Sequence, residues 1–219
     1  MLCCLRLSGP VVSNEYLSRR AVVTGVSALG ASWALGGYAS TVVRTSAVDP
    51  AYRRTVIRYP TREAPGTAVV DPDNHYLYLV QRGGTALRYG VGVGGEGFAW
   101  SGVATVHSKQ EWPDWYPPEE MLRRKPELRR SMIELPSGIG MHGGPENPLG
   151  ARALYLWQGN KDTLYRIHGT NEPQTIGTNV SSGCIRLTNE DIVDLYDRTP
   201  IGTKVVVIPS AGAPSRFQS

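Results

Sequence analysis

Cysteine is scarce in this chain, and the shortage limits what can hold it together. Only three of 219 residues are cysteine, at positions 3, 4 and 184, too few for a disulfide framework. Cys3 and Cys4 stand together at the N-terminus, which leaves Cys184 effectively alone. No C-x-x-C or H-E-x-x-H spacing occurs, so the paired-ligand patterns of a zinc site are missing. Charged residues make up only 19%, with a net charge of +4, and no dense Lys/Arg stripe is interleaved with aromatics. Nucleic-acid binding therefore has little compositional support. No internal repeat is visible. Turn formers, by contrast, are abundant: 25 glycines and 16 prolines exceed the usual share, which disfavours a helical bundle and points to many turns between strands. Hydrophobic residues, at 41%, suffice for a sizeable core and argue against wholesale disorder.

Residues 1–39 read as a targeting segment. Ser18-Arg19-Arg20-Ala21-Val22-Val23 is a twin-arginine pair, and residues 21–43 carry no charge. That stretch is rich in Gly, Ala and Ser, hence only mildly apolar, as twin-arginine export signals are. Gly37-Tyr38-Ala39 supplies small residues for cleavage before Ser40. An uncleaved membrane anchor is the alternative, since the uncharged stretch is long enough to span a bilayer. Losing residues 1–39 would remove Arg6, Arg19, Arg20 and Glu15, so part of the basic balance belongs to the leader. Cys3 and Cys4 would leave with it, and neither follows the apolar stretch that a lipid-attachment cysteine needs.

Residues 40–65 lack a clear period, hold Pro50, Pro60 and Pro65, and read as a linker whose arginines (44, 53, 54, 58, 62) could rest on an anionic envelope. From 66 onward strand signals dominate. Thr67–Val70 runs into the turn Asp71-Pro72-Asp73-Asn74, and His75–Gln81 is apolar on both faces, as a central strand would be. Arg82-Gly83-Gly84 connects it as a hairpin to residues 87–93, where Leu87, Tyr89, Val91 and Val93 share one face. Val103–Ser108, Ala153–Trp157, Leu164–His168 and Lys204–Ile208 complete the expected strands. Helices are expected at Pro118–Lys125 and Thr188–Arg198; the second has Thr188 or Asn189 as cap and Ile192, Leu195 and Tyr196 as buried face. His75 and His107 read as ordinary strand residues, and residues 209–219 as a flexible tail. The expectation is a mostly β domain, sandwich- or barrel-like, with one or two peripheral helices.

The segment from His168 to Leu187 concentrates the reactive side chains. A cysteine nucleophile needs a nearby base or positive charge, since its unperturbed pKa is about 8.5. His168 ends a strand, and a Gly/Asn/Thr-rich loop leads from it to Cys184. Gly183 would let backbone approach a substrate closely, and N–H groups around Cys184 could receive an oxyanion. Arg186, two residues on, shares the face of Cys184 in an extended segment, where it would depress the thiol pKa and bind a carboxylate. The bland alternatives are a buried structural cysteine and a hydrogen-bonded structural histidine. Zinc held by His142, His168 and Cys184 is a further arrangement, one that no ligand spacing supports.

His168-Gly169-Thr170, then Ser181-Ser182-Gly183-Cys184-Ile185-Arg186-Leu187, Asn189-x-Asp191 and Leu195-Tyr196, resemble the signature of the L,D-transpeptidase (YkuD-type) catalytic domain. Asn147-Pro148-Leu149-Gly150, Arg152–Leu156 and the strand pair from Tyr76 to Gly92 fit the same family, so the resemblance spans residues 66–208. It implies a cofactor-free exported enzyme of the bacterial envelope that needs no metal and remodels peptidoglycan. Cys184 would attack the bond between meso-diaminopimelate and D-alanine in a tetrapeptide stem, with His168 as base and then acid. The Gly169 carbonyl would orient the imidazole, Gly183 and Cys184 N–H groups would hold the oxyanion, Arg186 would bind carboxylate, and Ser182 would line the pocket. The acyl group would pass to an amine, or to water in an L,D-carboxypeptidase; a non-catalytic wall-binding module is the remaining reading. Carbapenems would acylate such a cysteine. The implied partners are peptidoglycan stem peptides, with an envelope protein as alternative amine acceptor, no nucleic acid, and a monomeric enzyme. Many members carry His where Ser182 stands, and His142 falls where no catalytic histidine is expected, so it reads as a loop residue near the groove. With no separate peptidoglycan-binding repeat present, docking would rest on the catalytic domain.

Overall fold

A computed structural model describes residues 48–95, 100–181 and 183–210. The expected leader with Cys3, Cys4, Arg19 and Arg20 lies outside them, as do Ser182 and residues 211–219 of the expected tail. Among the described residues no helix is long and apolar enough to cross a membrane.

The strands are β1 (Thr55–Arg58), β2 (Ala68–Asp71), β3 (Tyr76–Gln81), β4 (Thr85–Gly90), β5 (Val93–Gly94), β6 (Gly102–Glu111), β7 (Ile133–Leu135), β8 (Gly138–Gly140), β9 (Arg152–Gln158), β10 (Lys161–His168), β11 (Asn179–Ser181), β12 (Ile185–Arg186) and β13 (Lys204–Val207). The helices are α1 (Glu119–Arg124) and α2 (Asn189–Arg198). Among the described residues nine strands form one sheet in the order β1-β4-β3-β2-β13-β6-β9-β10-β12, while β5 pairs with β11 and β7 with β8. Beyond β4 the chain returns to the far edge: Gly92 N–H donates to the Arg186 carbonyl at 2.9 Å, and Arg186 N–H donates back at 2.8 Å. The continuation of β4 thus meets β12, and the sheet curls toward closure. The domain is mostly β with few helices, as the turn-rich composition implies.

Alternation decides which side chains enter the core. Leu77 and Leu79 of β3 are buried, whereas Tyr76 and Tyr78 lie half-buried on the opposite face, where Tyr78 stacks on Tyr59 at 4.5 Å. Leu87, Tyr89, Val91 and Val93 are all buried, as their shared face implies. Tyr89 has no exposed surface, and its hydroxyl donates to Asp194 Oδ2 on α2 at 2.7 Å, so a buried polar atom is satisfied across the core. Gly83 and Gly84 take φ of 77° and 72° in the β3–β4 hairpin, a conformation that side chains disfavour. The second helix begins after Thr188, whose hydroxyl accepts from Asp191 N–H at 3.1 Å, and it buries Ile192 and Leu195.

Two expectations change. The stretch read as a linker contains β1, which pairs antiparallel with β4, preceded by a 3₁₀ turn at Pro50–Tyr52. Pro50 starts that turn and Pro60 follows the strand, so neither removes a ladder N–H within it. His75 is not in a strand: it takes φ of 58° in the turn before β3. His107 does lie in β6, stacked on Trp157 at 3.9 Å.

Replacing Thr188 with Ala removes the side-chain cap of α2, and the unfolding free energy should fall by about 1 kcal/mol in urea titration. An unchanged midpoint would show that the cap contributes nothing.

Candidate active site

The edge pair β10–β12 builds the site. These strands run parallel, with Ile167 opposite Ile185 and His168 opposite Arg186. Ile167 and Ile185 are buried in the core, so their alternating neighbours Arg166, His168, Cys184 and Arg186 belong to the other face. The same register sets Cys184 beside Arg166, whose backbone N–H hydrogen-bonds the sulfur. Cys184, directly before β12, and His168, at the end of β10, are therefore brought to one edge of the sheet.

His168 is 4% exposed, and its Nδ1 lies 2.6 Å from the Gly169 carbonyl oxygen. A carbonyl only accepts, so Nδ1 carries the proton, leaving Nε2 as the basic nitrogen. Burial pulls the imidazole pKa down to about 4, and the Arg186 charge pushes the same way; the Gly169 and Leu149 carbonyls oppose them more weakly. The ring is neutral at pH 7. Burial also pushes the Cys184 thiol above its ordinary range, against the pull of the Arg166 N–H and the Arg166 and Arg186 charges. The expected depression of the thiol by Arg186 is thus present in direction but outweighed by desolvation. At rest the pair is thiol and imidazole, not thiolate and imidazolium.

Gly183 takes φ of 117°, a backbone state that favours glycine at the turn delivering Cys184. Arg186 is mostly buried; its Nη1 lies 3.4 Å from Glu172 Oε2, and its Nε has no hydrogen-bond partner among the described residues. The pocket role expected for Ser182 falls outside the described residues. His142 is exposed and pairs with Asp114, in the segment between β6 and α1, at 3.3 Å. Among the described residues no three His, Cys, Asp or Glu side chains converge as metal ligands.

Residues to which the sequence reading gave no role in the site hold this arrangement. Arg166 is gripped by both Asp162 oxygens at 2.7 and 2.8 Å and lies 4.5 Å over the Tyr155 ring. A regular strand would not bring positions 162 and 166 together. Leu164, with φ of 63°, bends β10 where its register with β9 shifts, and no pattern in the sequence signals that bend. Asn147 is buried, donates to the carbonyls of Pro113, Met141 and His142, and accepts from Leu149 N–H, so it shapes the loop whose Leu149 carbonyl faces His168. Asn189 Oδ1 accepts from Ala151 N–H at 2.8 Å and lies where a methyl on Gly169 would overlap it, which fixes the main chain after His168.

Comparison with known proteins places this geometry in a family. Residues 65–207 match the L,D-transpeptidase catalytic domain, YkuD, and the chain belongs to that family. It is 41% identical over 119 residues to a "Probable L,D-transpeptidase ErfK/SrfK" of Escherichia coli, covering 54% of this chain and 35% of that protein. It is 36% identical over 143 residues to the E. coli "Probable L,D-transpeptidase YbiS", covering 64% and 44%. The chain thus spans less than half the length of these curated relatives. A crystal structure from Brucella melitensis is 48% identical, with a TM-score of 0.47, and covers 74% of this chain and 97% of that one. That protein is described as a "Probable carnitine operon oxidoreductase caia".

A pH dependence follows from His168. Unfolded, it takes up a proton near 6.5; folded, near 4. The stability present above pH 6.5 is therefore lost progressively as pH falls toward 4, by up to about 3 kcal/mol. Asp194, held at about 2 chiefly by Arg198, adds its own loss only below the ordinary carboxylate range. His168→Gln should flatten urea midpoints between pH 6.5 and 4.5; an unchanged slope would show that another group causes it.

Proposed function

We propose that the chain is a peptidoglycan L,D-transpeptidase acting in the bacterial envelope. The observation that carries the reading is the parallel pairing that sets Cys184, directly before β12, beside the end of β10, where Nδ1 of His168 is tied to the Gly169 carbonyl, in a member of this family. The donor is a tetrapeptide stem, and the bond broken joins meso-diaminopimelate to the terminal D-alanine. His168 Nε2 takes the Sγ proton as sulfur attacks the carbonyl carbon. The N–H groups of Gly183 and Cys184 receive the oxyanion, and Arg186 binds a stem carboxylate. When the tetrahedral intermediate collapses, the imidazolium gives its proton to the departing amine of D-alanine and a thioester remains. An acceptor amine, from a second stem or an envelope protein, then loses a proton to His168 and displaces the sulfur.

The low His168 pKa acts oppositely on the two halves of this cycle: it weakens the ring as a base toward the thiol and strengthens the imidazolium as an acid. The ring is free to accept a proton at neutral pH and, once protonated, is a strong acid toward the leaving group. Ser182 is assigned to the pocket wall, and the enzyme is taken to work as a monomer without metal or cofactor.

On purified tetrapeptide muropeptides, Cys184→Ala should abolish D-alanine release while leaving the fold intact, and a carbapenem should add its mass to the wild type only. Unchanged release, or an adduct surviving the substitution, would refute Cys184 as nucleophile. Mass spectrometry of the products separates a cross-linked dimer, which supports transfer, from a tripeptide alone, which would mean hydrolysis.

Export is assigned to residues 1–39 and the twin-arginine route, because Arg19-Arg20 precedes a mildly apolar uncharged stretch. Arg19→Lys with Arg20→Lys should trap the precursor inside the cell; normal export of that double variant would rule the route out.

A further inference from the structure

We infer that Tyr52, upstream of the residues that match the family, is a positioning residue for the loop that delivers Cys184. The inference takes its site from the proposed function, but the contact rests on geometry alone.

Tyr52 ends the 3₁₀ turn Pro50–Tyr52, and this turn is fastened on several sides. Asp49 Oδ1 accepts from Ala51 N–H at 2.8 Å, and the Ala51 carbonyl accepts from the Tyr76 hydroxyl and from Arg88 Nη2, each at 3.2 Å. The Arg88 guanidinium lies 4.2 Å over the Tyr76 ring. Two residues further, Arg54 reaches α2, with Nη1 3.0 Å from Asp194 Oδ2 and Nε 3.6 Å from Asp191 Oδ1. The turn is thereby tied to the sheet and, through Arg54, to the helix.

From that base Tyr52 presses on two glycines. A methyl on Gly90 would overlap its Cβ and backbone, and a methyl on Gly177 would overlap its ring. Gly177, at φ of 86°, belongs to the segment that runs through β11 toward Gly183 and Cys184. Elsewhere Gly177 N–H donates to the Val91 carbonyl at 3.0 Å, Val93 N–H donates to the Thr178 carbonyl at 3.1 Å, and the His75 ring lies 2.7 Å from Asn179 Oδ1. Residues 91–93 in turn carry the Gly92–Arg186 pair beside the site. Thr178 and Asn179 are exposed and contribute little packing of their own. Ile176 is buried and His75 holds Asn179, while the Tyr52 ring closes the segment at Gly177, so its loss would lower the cost of local opening there. A displacement of about 1 Å at a nucleophile can cost roughly a hundredfold in rate.

The test compares Tyr52→Leu, which keeps Cβ on Gly90 but loses the ring, with Tyr52→Phe, which keeps the ring carbons that touch Gly177. In the full-length protein, Tyr52→Leu should speed amide hydrogen exchange in residues 175–181 while β2, β6, β9 and β13 keep wild-type protection. It should also lower D-alanine release roughly tenfold or more, mainly in kcat; Tyr52→Phe should restore both. Unchanged exchange in 175–181, equal losses in both variants, or faster exchange throughout the sheet would overturn the inference. A wild type that releases no D-alanine would refute the proposed reaction instead, and the exchange comparison would still decide the role of Tyr52.

Discussion

The parallel pairing of β10 with β12 is the constraint on which the site depends. It is short, and its register sets Ile167 against Ile185 in the core and His168 against Arg186 outside. A slip of one residue would turn Cys184 into the core and expose Ile185. The pairing is guarded at both ends. Leu187 N–H donates to the His168 carbonyl at 2.8 Å, and Gly92 bonds Arg186 from the other side. Thus β12 gains two flanking partners from distant parts of the chain, and curling of the sheet is what makes the second available. Fold closure and site assembly are the same event.

The electrostatics follow from that burial. Two arginines flank Cys184, and taken alone they would favour a thiolate. Desolvation outweighs them, and it also holds His168 neutral. A neutral resting pair has a consequence for a thiol exposed to oxidants, because the thiolate is the species that oxidises. In the proposed reaction, keeping the proton on sulfur until His168 accepts it would confine reactivity to the moment of attack. Asp162 works in the same direction: its grip on Arg166 offsets a positive charge that would otherwise press more strongly on the thiol.

Local patterns in the sequence carry most of the strands. The alternation through Leu87, Tyr89, Val91 and Val93 gives their shared buried face, and the hairpin glycines and the Thr188 cap sit where turn and helix chemistry require them. The likeness to the L,D-transpeptidase signature holds over nearly the span assigned to it. What was not legible depends on departures from regular geometry or on long-range approach. The bend at Leu164 that joins Asp162 to Arg166 breaks strand periodicity, so periodicity could not reveal it. Residues 55–58 lack a clear alternation because β1 is a largely exposed edge strand, and an edge imposes little hydrophobic pattern. The roles of Asn147 and Asn189 arise from carbonyls and amides brought near by the fold, which no spacing encodes.

Abundant glycine has an architectural reason beyond turns. Glycines 90, 92, 169 and 177 lie where backbones or rings meet too closely for a Cβ: Gly90 under Tyr52, Gly92 against Thr175, Gly169 against Asn189, and Gly177 against the Tyr52 ring. These contacts surround the two strands that carry His168 and Cys184. Glycine gives up conformational entropy at each such position, a cost of roughly 0.5–1 kcal/mol relative to alanine. The gain is that main chain, rather than flexible side chains, fixes the distance between segments. A reaction that needs a thiol, an imidazole and backbone donors in mutual register benefits from that stiffness, and the scarcity of other cross-links, with Cys184 the one cysteine among the described residues, leaves close packing to provide it.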